Sequence, residues 1–252
     1  MLRALKERLT IQGYRTMSYP DGPVTLPERF RGYPQVADSL GPEQAAACAA
    51  ACPWQALAAD ARQLTPDMGR CLFCADCPAS AGVSFTNHDH CLATSSREEL
   101  LVRAGEPHHY ARPLAPDLKK LFSRSLKFRE VSAGGCNACE ADSNVLTTIG
   151  WDLGRFGIQF VASPRHADGI WVTGPVSENM REALLKTWEA IPAPKIVIAC
   201  GSCAISGGPF AGSPQVSTGL DSLLPVDLYI PGCPPHPATI LEGLLRLQGR
   251  IK

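Results

Sequence analysis

The chain has 252 residues, 45% of them hydrophobic, and its 24 Lys and Arg are balanced by 24 Asp and Glu. Zero formal charge offers no basic footprint for nucleic acid or an anionic membrane, no apolar run approaches the roughly 18 residues of a membrane span, and the start shows neither a signal-peptide apolar region nor an Arg-Arg pair, so the reading is of a chain that is not exported. Eleven cysteines, several spaced CxxC, then read as metal ligands in a reducing compartment and not as disulfides.

Residues 1 to 12 (MLRALKERLTIQ) set Leu2, Leu5, Leu9 and Ile11 among Arg3, Lys6, Glu7 and Arg8. This spacing predicts a short amphipathic helix lying on a partner or on its own domain; a membrane-surface helix would carry a larger apolar face. Residues 13 to 40, rich in Pro, Gly and Tyr, predict an extended arm. Residues 41 to 91 hold Cys48, then Cys52-Pro53, then the run Cys71, Cys74 and Cys77, then Cys91. The apolar stretch 45–51 between them predicts a helix.

A two-cluster bacterial ferredoxin repeats C-x-x-C-x-x-C-x-x-x-C-P, and the fourth cysteine of each run ligates the other cluster. Anchored on Cys52-Pro53, the first run falls on Pro42, Ala45, Cys48 and Cys52, and the second on Cys71, Cys74, Cys77 and Ala81. One cluster would need positions 42, 45, 48 and 81, and all but Cys48 are not cysteine. The other would need Cys52, Cys71, Cys74 and Cys77, and all are present. Losses and retentions therefore partition between the two sites, and Cys48 reads as filling for the volume of the lost cluster. This segment resembles the ferredoxin-like, polyferredoxin-type subunit that accompanies group 4 hydrogenases, through FRGYP, CPWQAL, DMGRCLFCADC and SREELLV. In that family a short apolar strand follows the Cys-Pro pair, where Trp54-Gln55-Ala56-Leu57 stands here. A rival reading gathers Cys71, Cys74, His88 or His90, and Cys91 around zinc. It leaves Cys52 and Cys77 unexplained, and a solvated loop is the simpler fate for residues 87–90.

Ser95 or Ser96, with Glu98 and Glu99 after it, predicts a capped helix over 97–104. Residues 105–117 read as a linker with an exposed His108-His109 pair, and the domain boundary is placed near 115. From there the pattern is strand and helix in alternation. Strands are expected at 126–132, 157–162, 169–173, 195–199 and 226–230. Helices are expected from the Cys136 turn to about Ile149, over 178–190 with Ser177 as cap and Leu184, Leu185 and Trp188 facing inward, and over 237–248. Such alternation implies a parallel sheet covered on both faces.

Three Gly- and Pro-rich turns follow strand-like runs: Gly134-Gly135-Cys136-Asn137-Ala138-Cys139-Glu140, then Cys200-Gly201-Ser202-Cys203, then Pro231-Gly232-Cys233-Pro234-Pro235. Ligand sites of open α/β sheets form at the carboxyl ends of strands, so these cysteines are expected to converge. Iron–sulfur clusters are held by thiolates, and glycines beside them admit backbone N–H groups to the sulfurs. Buried core cysteines or a zinc site are the plainer alternatives.

The stretch 134–237, through GGCNACE, FGIQFVASPRHADGIWVTGPVSENMREALLKTWEAIPAPKIVIACGSCAISGGPF and YIPGCPPHP, resembles the small subunit of group 4 [NiFe] hydrogenases of the hydrogenase-4 and formate hydrogenlyase type. It is also similar to the cluster-bearing 20 kDa subunit of respiratory complex I, in which the first two ligands are adjacent; the CxxC spacing here is that of the hydrogenase side. The resemblance implies a flavodoxin-like parallel sheet over 116–252, preceded by a small α+β ferredoxin-like domain over 1–115. It assigns a proximal [4Fe-4S] cluster to Cys136, Cys139, Cys203 and Cys233, making two [4Fe-4S] clusters in all, and leaves Cys200 as packed core.

No hydrolytic triad, dinucleotide fingerprint or P-loop follows a predicted strand, so the chain reads as an electron-transfer subunit without a complete active site of its own. Glu140, beside the ligand pair, is either a surface carboxylate favoured by a helix start or, by resemblance, a proton relay, with Asp142 as second candidate. The implied partners are a [NiFe]-type large subunit, ferredoxin-like or other donor subunits and membrane proton-pump-like subunits, on the cytoplasmic face of the inner membrane. The alternatives are the small subunit of a complex-I-like quinone oxidoreductase and a zinc-stabilised assembly module.

Overall fold

The structure is a computed structural model that describes residues 2–37, 40–60, 63–74, 76–77, 82–122 and 124–251; Ala81 of the ferredoxin pattern lies outside them. The first part of the chain is made of short pieces. Helix α1 (Leu2–Glu7) continues as a π-helical turn over Arg8–Gln12, and neither buries a residue. Strand β1 (Pro34–Val36) is followed by α2 (Pro42–Ala51), β2 (Leu57–Ala59), β3 (Leu64–Pro66) and β4 (Val83–Phe85). β1 pairs antiparallel with β4 and β2 with β3. Three-residue strands cannot stand alone in water, and these close on a small core of Cys48, Leu57 and Leu64, with Cys52 and Cys77 packed at its edge. α2 starts with Pro42 in its first turn and buries only Ala45 and Cys48, two of the positions that the unfilled ferredoxin pattern would give to ligands.

The second part follows the strand–helix alternation: α3 (Pro116–Phe122), β5 (Leu126–Ser132), α4 (Ala138–Val145), β6 (Ile158–Phe160), β7 (Gly169–Thr173), α5 (Glu178–Ala190), β8 (Ile196–Cys200), α6 (Ser202–Ser206), β9 (Leu228–Ile230) and α7 (Pro237–Leu247). The five strands form one parallel sheet in the order β6-β5-β7-β8-β9. That is the flavodoxin-like order, with its switch point between β5 and β7. β7 and β8 are buried along their whole length, as central parallel strands must be. One face packs Phe128, Trp171, Ile198 and Cys200 against Ile240, Leu241 and Leu244 of α7. The other packs Val131, Val172, Val197 and Ala199 with Leu184 of α5.

Burial runs across residue 115. Met68, Phe73, Leu92, Leu100 and Val102 join the α5 face, while Ala93 and Ala111 join the α7 face. Arg97 grips both carboxylate oxygens of Asp67 at 2.8 and 2.5 Å, the bidentate geometry that fixes direction as well as distance. Thr94 exchanges two backbone hydrogen bonds with Tyr229, of 3.0 and 2.9 Å, so the edge strand β9 is not left open.

Four local expectations change. The helix after Cys136 stops at Val145 and gives way to turns, leaving Ile149 exposed. Ser177 has the extended backbone of a helix cap, but its hydroxyl makes no capping bond. Over 97–104 there is only a short 3-10 turn, Glu98–Leu100; the Glu99 carboxylate turns back to accept from the Ser95 and Ser96 amides, which ends the turn as it begins. His108 is half-buried against the rings of Tyr33 and Tyr110, unlike exposed His109.

Phe128, wholly buried between sheet and α7, should be a large contributor to stability. Phe128→Ala should lower the unfolding free energy by about 3–5 kcal/mol, whereas Leu5→Ala on exposed α1 should stay within roughly 0.5 kcal/mol. Denaturant midpoints of the two variants measure this, and equal midpoints would contradict it.

Candidate metal centre

Parallel strands end on one edge of the sheet, and three of the turns on that edge carry cysteine. Cys136 and Cys139 follow β5, with Cys139 in the first turn of α4; Cys203 stands in α6, directly after β8; Cys233 follows β9. The backbone sews the second turn to the third: Gly201 N–H donates to the Ile230 carbonyl at 2.8 Å and Ser202 N–H to that of Gly232 at 2.9 Å. Cys136 and Cys233 are exposed, Cys139 and Cys203 half-buried. Burial, then the neighbouring Cys233, Cys139 and Cys136, push the Cys203 thiol up to about 12. Burial, then Cys139 and Cys136, raise Cys233. Cys136, Cys139 and Cys233 therefore lie close to Cys203, and holding Cys203 and Cys233 as thiolates there would need cationic charge beside them.

The spaces beside these sulfurs fit an iron–sulfur cluster. Gly201 has φ +89°, and a Cβ there would stand 2.5 Å from the Cys139 sulfur; Gly208 has φ +54°, and a Cβ there would stand 2.7 Å from the Cys203 sulfur. A side chain at either place would fill the room beside a cysteine sulfur, where glycine leaves bare backbone. Cys200 is different. It ends β8, fully buried in the apolar core on the Phe128 face, and its thiol meets Cys139 and Ser143.

The second set assembles in the first part of the chain. Cys52, Cys71, Cys74 and Cys77 line one apolar cavity with Trp54 and Phe85. Burial pushes the Cys71 thiol up to about 12, with Cys77, Cys74 and Cys52 adding to it and the Phe73 amide opposing; that N–H donates to the Cys71 sulfur at 3.3 Å. Backbone donation to sulfur is a feature of cluster sites. Cys91 lies elsewhere, against Glu242 and Arg246, so the zinc grouping does not assemble. Among the described residues no three His, Cys, Asp or Glu side chains converge on a single ion; a cubane, being larger, takes its thiolates at separated corners.

The two sets adjoin. Cys74 contributes to the raised pKa of Cys233. The Ser202 hydroxyl donates to the Cys71 carbonyl at 2.8 Å and that of Ser206 to the Gly69 carbonyl at 2.9 Å. Helix α6, which carries Cys203, therefore grips the loop that carries Cys71. Sequence reading missed this role of the two serines; their i, i+4 spacing on a short helix was the available signal.

Glu140 is not a surface carboxylate. It is 7% exposed, and its Oε1 accepts from Thr173 Oγ1 at 2.8 Å, across the switch point. Sequence reading also missed Glu130, whose Oε1 is buried without a partner. Burial, then Glu140, push its carboxyl up to about 7 against the opposing Arg129. Glu130 shares the face of Phe128 two residues before it, so a charge on an otherwise apolar face was the signal. Asp142 lines, with Arg29, Phe30, Cys233 and His236, a cleft of about 230 Å³ beside the third turn.

Comparison with known proteins gives matches that each cover about half of the chain. The family model described as NADH ubiquinone oxidoreductase, 20 Kd subunit, matches residues 136–247. The probable membrane-bound hydrogenase subunit mbhJ of Pyrococcus furiosus is 43% identical over 128 residues, which are 51% of this chain and 77% of that protein. Formate hydrogenlyase subunit 7 of Escherichia coli is 44% identical over 135 residues, 54% of this chain and 53% of that protein. A subunit of the NADH-quinone oxidoreductase of Clostridium beijerinckii is 46% identical over 118 residues, 46% of this chain and 70% of that protein.

The geometry separates the two cysteines of the second turn. Cys203→Ala should bleach the proximal cluster absorption of the anaerobically purified chain, Gly201→Ala should weaken it by crowding Cys139, and Cys200→Ala should leave it near wild type. Loss of signal in Cys200→Ala with retention in Cys203→Ala would reverse the assignment.

Proposed function

The chain belongs to the family of the 20 kDa subunit of NADH:ubiquinone oxidoreductase, and from that premise we propose that it is an iron–sulfur electron-transfer subunit of a membrane-associated group 4 [NiFe] hydrogenase-type complex. The observation that carries this reading is the adjacency of two four-cysteine sets, Cys52, Cys71, Cys74 and Cys77 against Cys136, Cys139, Cys203 and Cys233, joined by the grip of α6 on the Cys71 loop. A [4Fe-4S] cluster at each set would supply one-electron exchange. Residues 1–115 and 116–252 then act as two units of one relay, the first toward the electron donor and the second toward the large subunit. The exposed Cys136 and Cys233 fit a site that a partner covers. Glu140, held on Thr173 beside the proximal set, is suited to hold and pass a proton at that interface, with Asp142 in the adjoining cleft as its neighbour.

The partners of this reading are a large subunit with a nickel–iron centre, ferredoxin-like or other donor subunits, and membrane proton-pump-like subunits. Among the described residues no helix is long and apolar enough to cross a membrane, so association with the cytoplasmic face of the membrane would run through those subunits. A second reading, the small subunit of a quinone-reducing complex, is favoured by the likeness to the clostridial NADH-quinone oxidoreductase; the CxxC spacing of Cys136 and Cys139 favours the hydrogenase side.

Anaerobically isolated protein should hold about eight irons and as many sulfides per chain, four for each cubane. Near twelve irons, or near four with stoichiometric zinc, would overturn the one-plus-one assignment. Glu140→Gln should leave both clusters intact and slow hydrogen turnover of the complex by roughly 10²-fold, the lower end of what a positioned acid–base group contributes. Unchanged hydrogen evolution in Glu140→Gln and in Glu140→Gln/Asp142→Asn would rule out the relay.

A further inference from the structure

Helix α7 is buried almost throughout, yet one stripe along it is polar. His236 caps it, accepting from the Ala238 amide, and Thr239, Glu242 and Arg246 follow at helical spacing. Thr239 is 1% exposed and Glu242 has no exposed surface. The segment around Cys91 lies directly on this helix; a Cβ on Gly243 would come within 2.6 Å of the Ala93 side chain. The ring of Tyr19 meets His90 edge-on at 5.7 Å, and the Arg246 guanidinium lies over Tyr110 at 4.1 Å.

Direct hydrogen bonds do not close this interior. Glu242 Oε1 accepts from Arg246 Nε. Glu242 Oε2, Thr239 Oγ1, His90 Nε2 and His108 Nε2 are all buried without a partner. Native interiors leave few such atoms dry, and a water making about three hydrogen bonds is the usual partner. The stripe also has two ends. Tyr110, 40% exposed, marks the solvent end beside Arg246. At the other end His236 and Thr239 line the cleft next to Cys233 and Asp142.

We propose that this stripe is a hydrated proton route through the subunit, in which ordered waters bridge His90, Glu242 and Thr239 and connect solvent at Tyr110 and Arg246 with the cleft beside Cys233. The inference rests on the electron-transfer reading above, since only a proton-coupled reaction next to the cleft would use it. Each transfer moves one proton between oxygen or nitrogen atoms, a proton enters one end as one leaves the other, and no electron moves along the stripe. The groups facing Glu242 suit the task. Burial, the largest influence, raises its pKa; Arg246 from its own helix and the hydrogen-bonded Cys91 favour the carboxylate, and Asp89 from the covering segment disfavours it. Cys91 and Tyr19 face it from the remaining sides as neutral groups, both raised by burial, and His108, held near 4 by burial, adds no positive charge.

The intact complex, purified anaerobically, tests this in two ways. A cryo-electron-microscopy map that resolves ordered water should show water within hydrogen-bond distance of Glu242 Oε2 and Thr239 Oγ1. Glu242→Gln and Thr239→Val should retain iron content and the paramagnetic signals of both clusters, yet slow turnover at least about tenfold with a raised solvent deuterium isotope effect; Glu242→Asp should recover part of the rate. A dry stripe would overturn the route, and so would water at those atoms with unchanged turnover and isotope effect in both variants, which would make the water structural only. Should Glu242→Gln fail to assemble, the water positions in the unaltered complex decide. Absence of both cluster signals from the unaltered complex would instead overturn the electron-transfer reading, a result distinguishable from either failure of the route.

Discussion

Parallel strands of one sheet all end on the same edge, and the rest of this molecule depends on that constraint. β5, β8 and β9 are far apart in sequence, but their carboxyl ends lie together in the order β5-β7-β8-β9. Turns placed after them deliver Cys136, Cys139, Cys203 and Cys233 to one region without any long loop reaching across. The turns can close only because they are short on side chains. Gly201 and Gly208 each pass so near a cysteine sulfur that a single methyl would collide with it, and both have backbone angles that favour glycine. Apolar β-branched strands set the direction, and the glycines set the final approach.

The first part of the chain is bound to this edge by polar contacts of a different kind. Ser202 and Ser206 reach from α6 to the carbonyls of Cys71 and Gly69, and the Asp67–Arg97 fork holds the same loop from the other side. These are contacts of fixed geometry, whereas the apolar burial of Met68 and Phe73 against the α5 face supplies area without direction. The two together explain why the second cysteine set sits beside the first. The partition of ferredoxin positions has a packing counterpart as well: Ala45 and Cys48 are buried on α2, Cys48 within a small apolar core, and interiors tolerate few voids.

Buried polar groups concentrate around the same edge. Glu140 on Thr173, Glu130 behind it and the α7 stripe from His236 to Arg246 are all costly in an apolar core unless partnered. Glu130 and Thr173 lie on the Phe128 face of the sheet and the α7 stripe lies under the segment around Cys91, while Ala204, Ile205 and Cys71 pack on the α5 face.

The sequence by itself determined the strand–helix alternation, the five strands after residue 115 and the helices α4, α5 and α7 but not α3 or α6, because apolar runs buried on both faces and helices with one inward stripe leave periodic marks that depend only on local neighbours. It also marked three cysteine-bearing, glycine-framed turns after strand-like runs, since those patterns are local too. It did not determine where α4 stops or that the turn over 98–100 stays short, because those ends are set by competing contacts such as Glu99 on the Ser95 and Ser96 amides. Burial of Glu140, Glu242 and His108 was equally out of reach, for a polar residue reads as solvated until another segment covers it. Only the tertiary structure decided that α6 grips the Cys71 loop and that Cys91 lies against α7, apart from Cys71 and Cys74. Those contacts join residues far apart in the chain, and local pattern carries no record of which distant segment will arrive to make them.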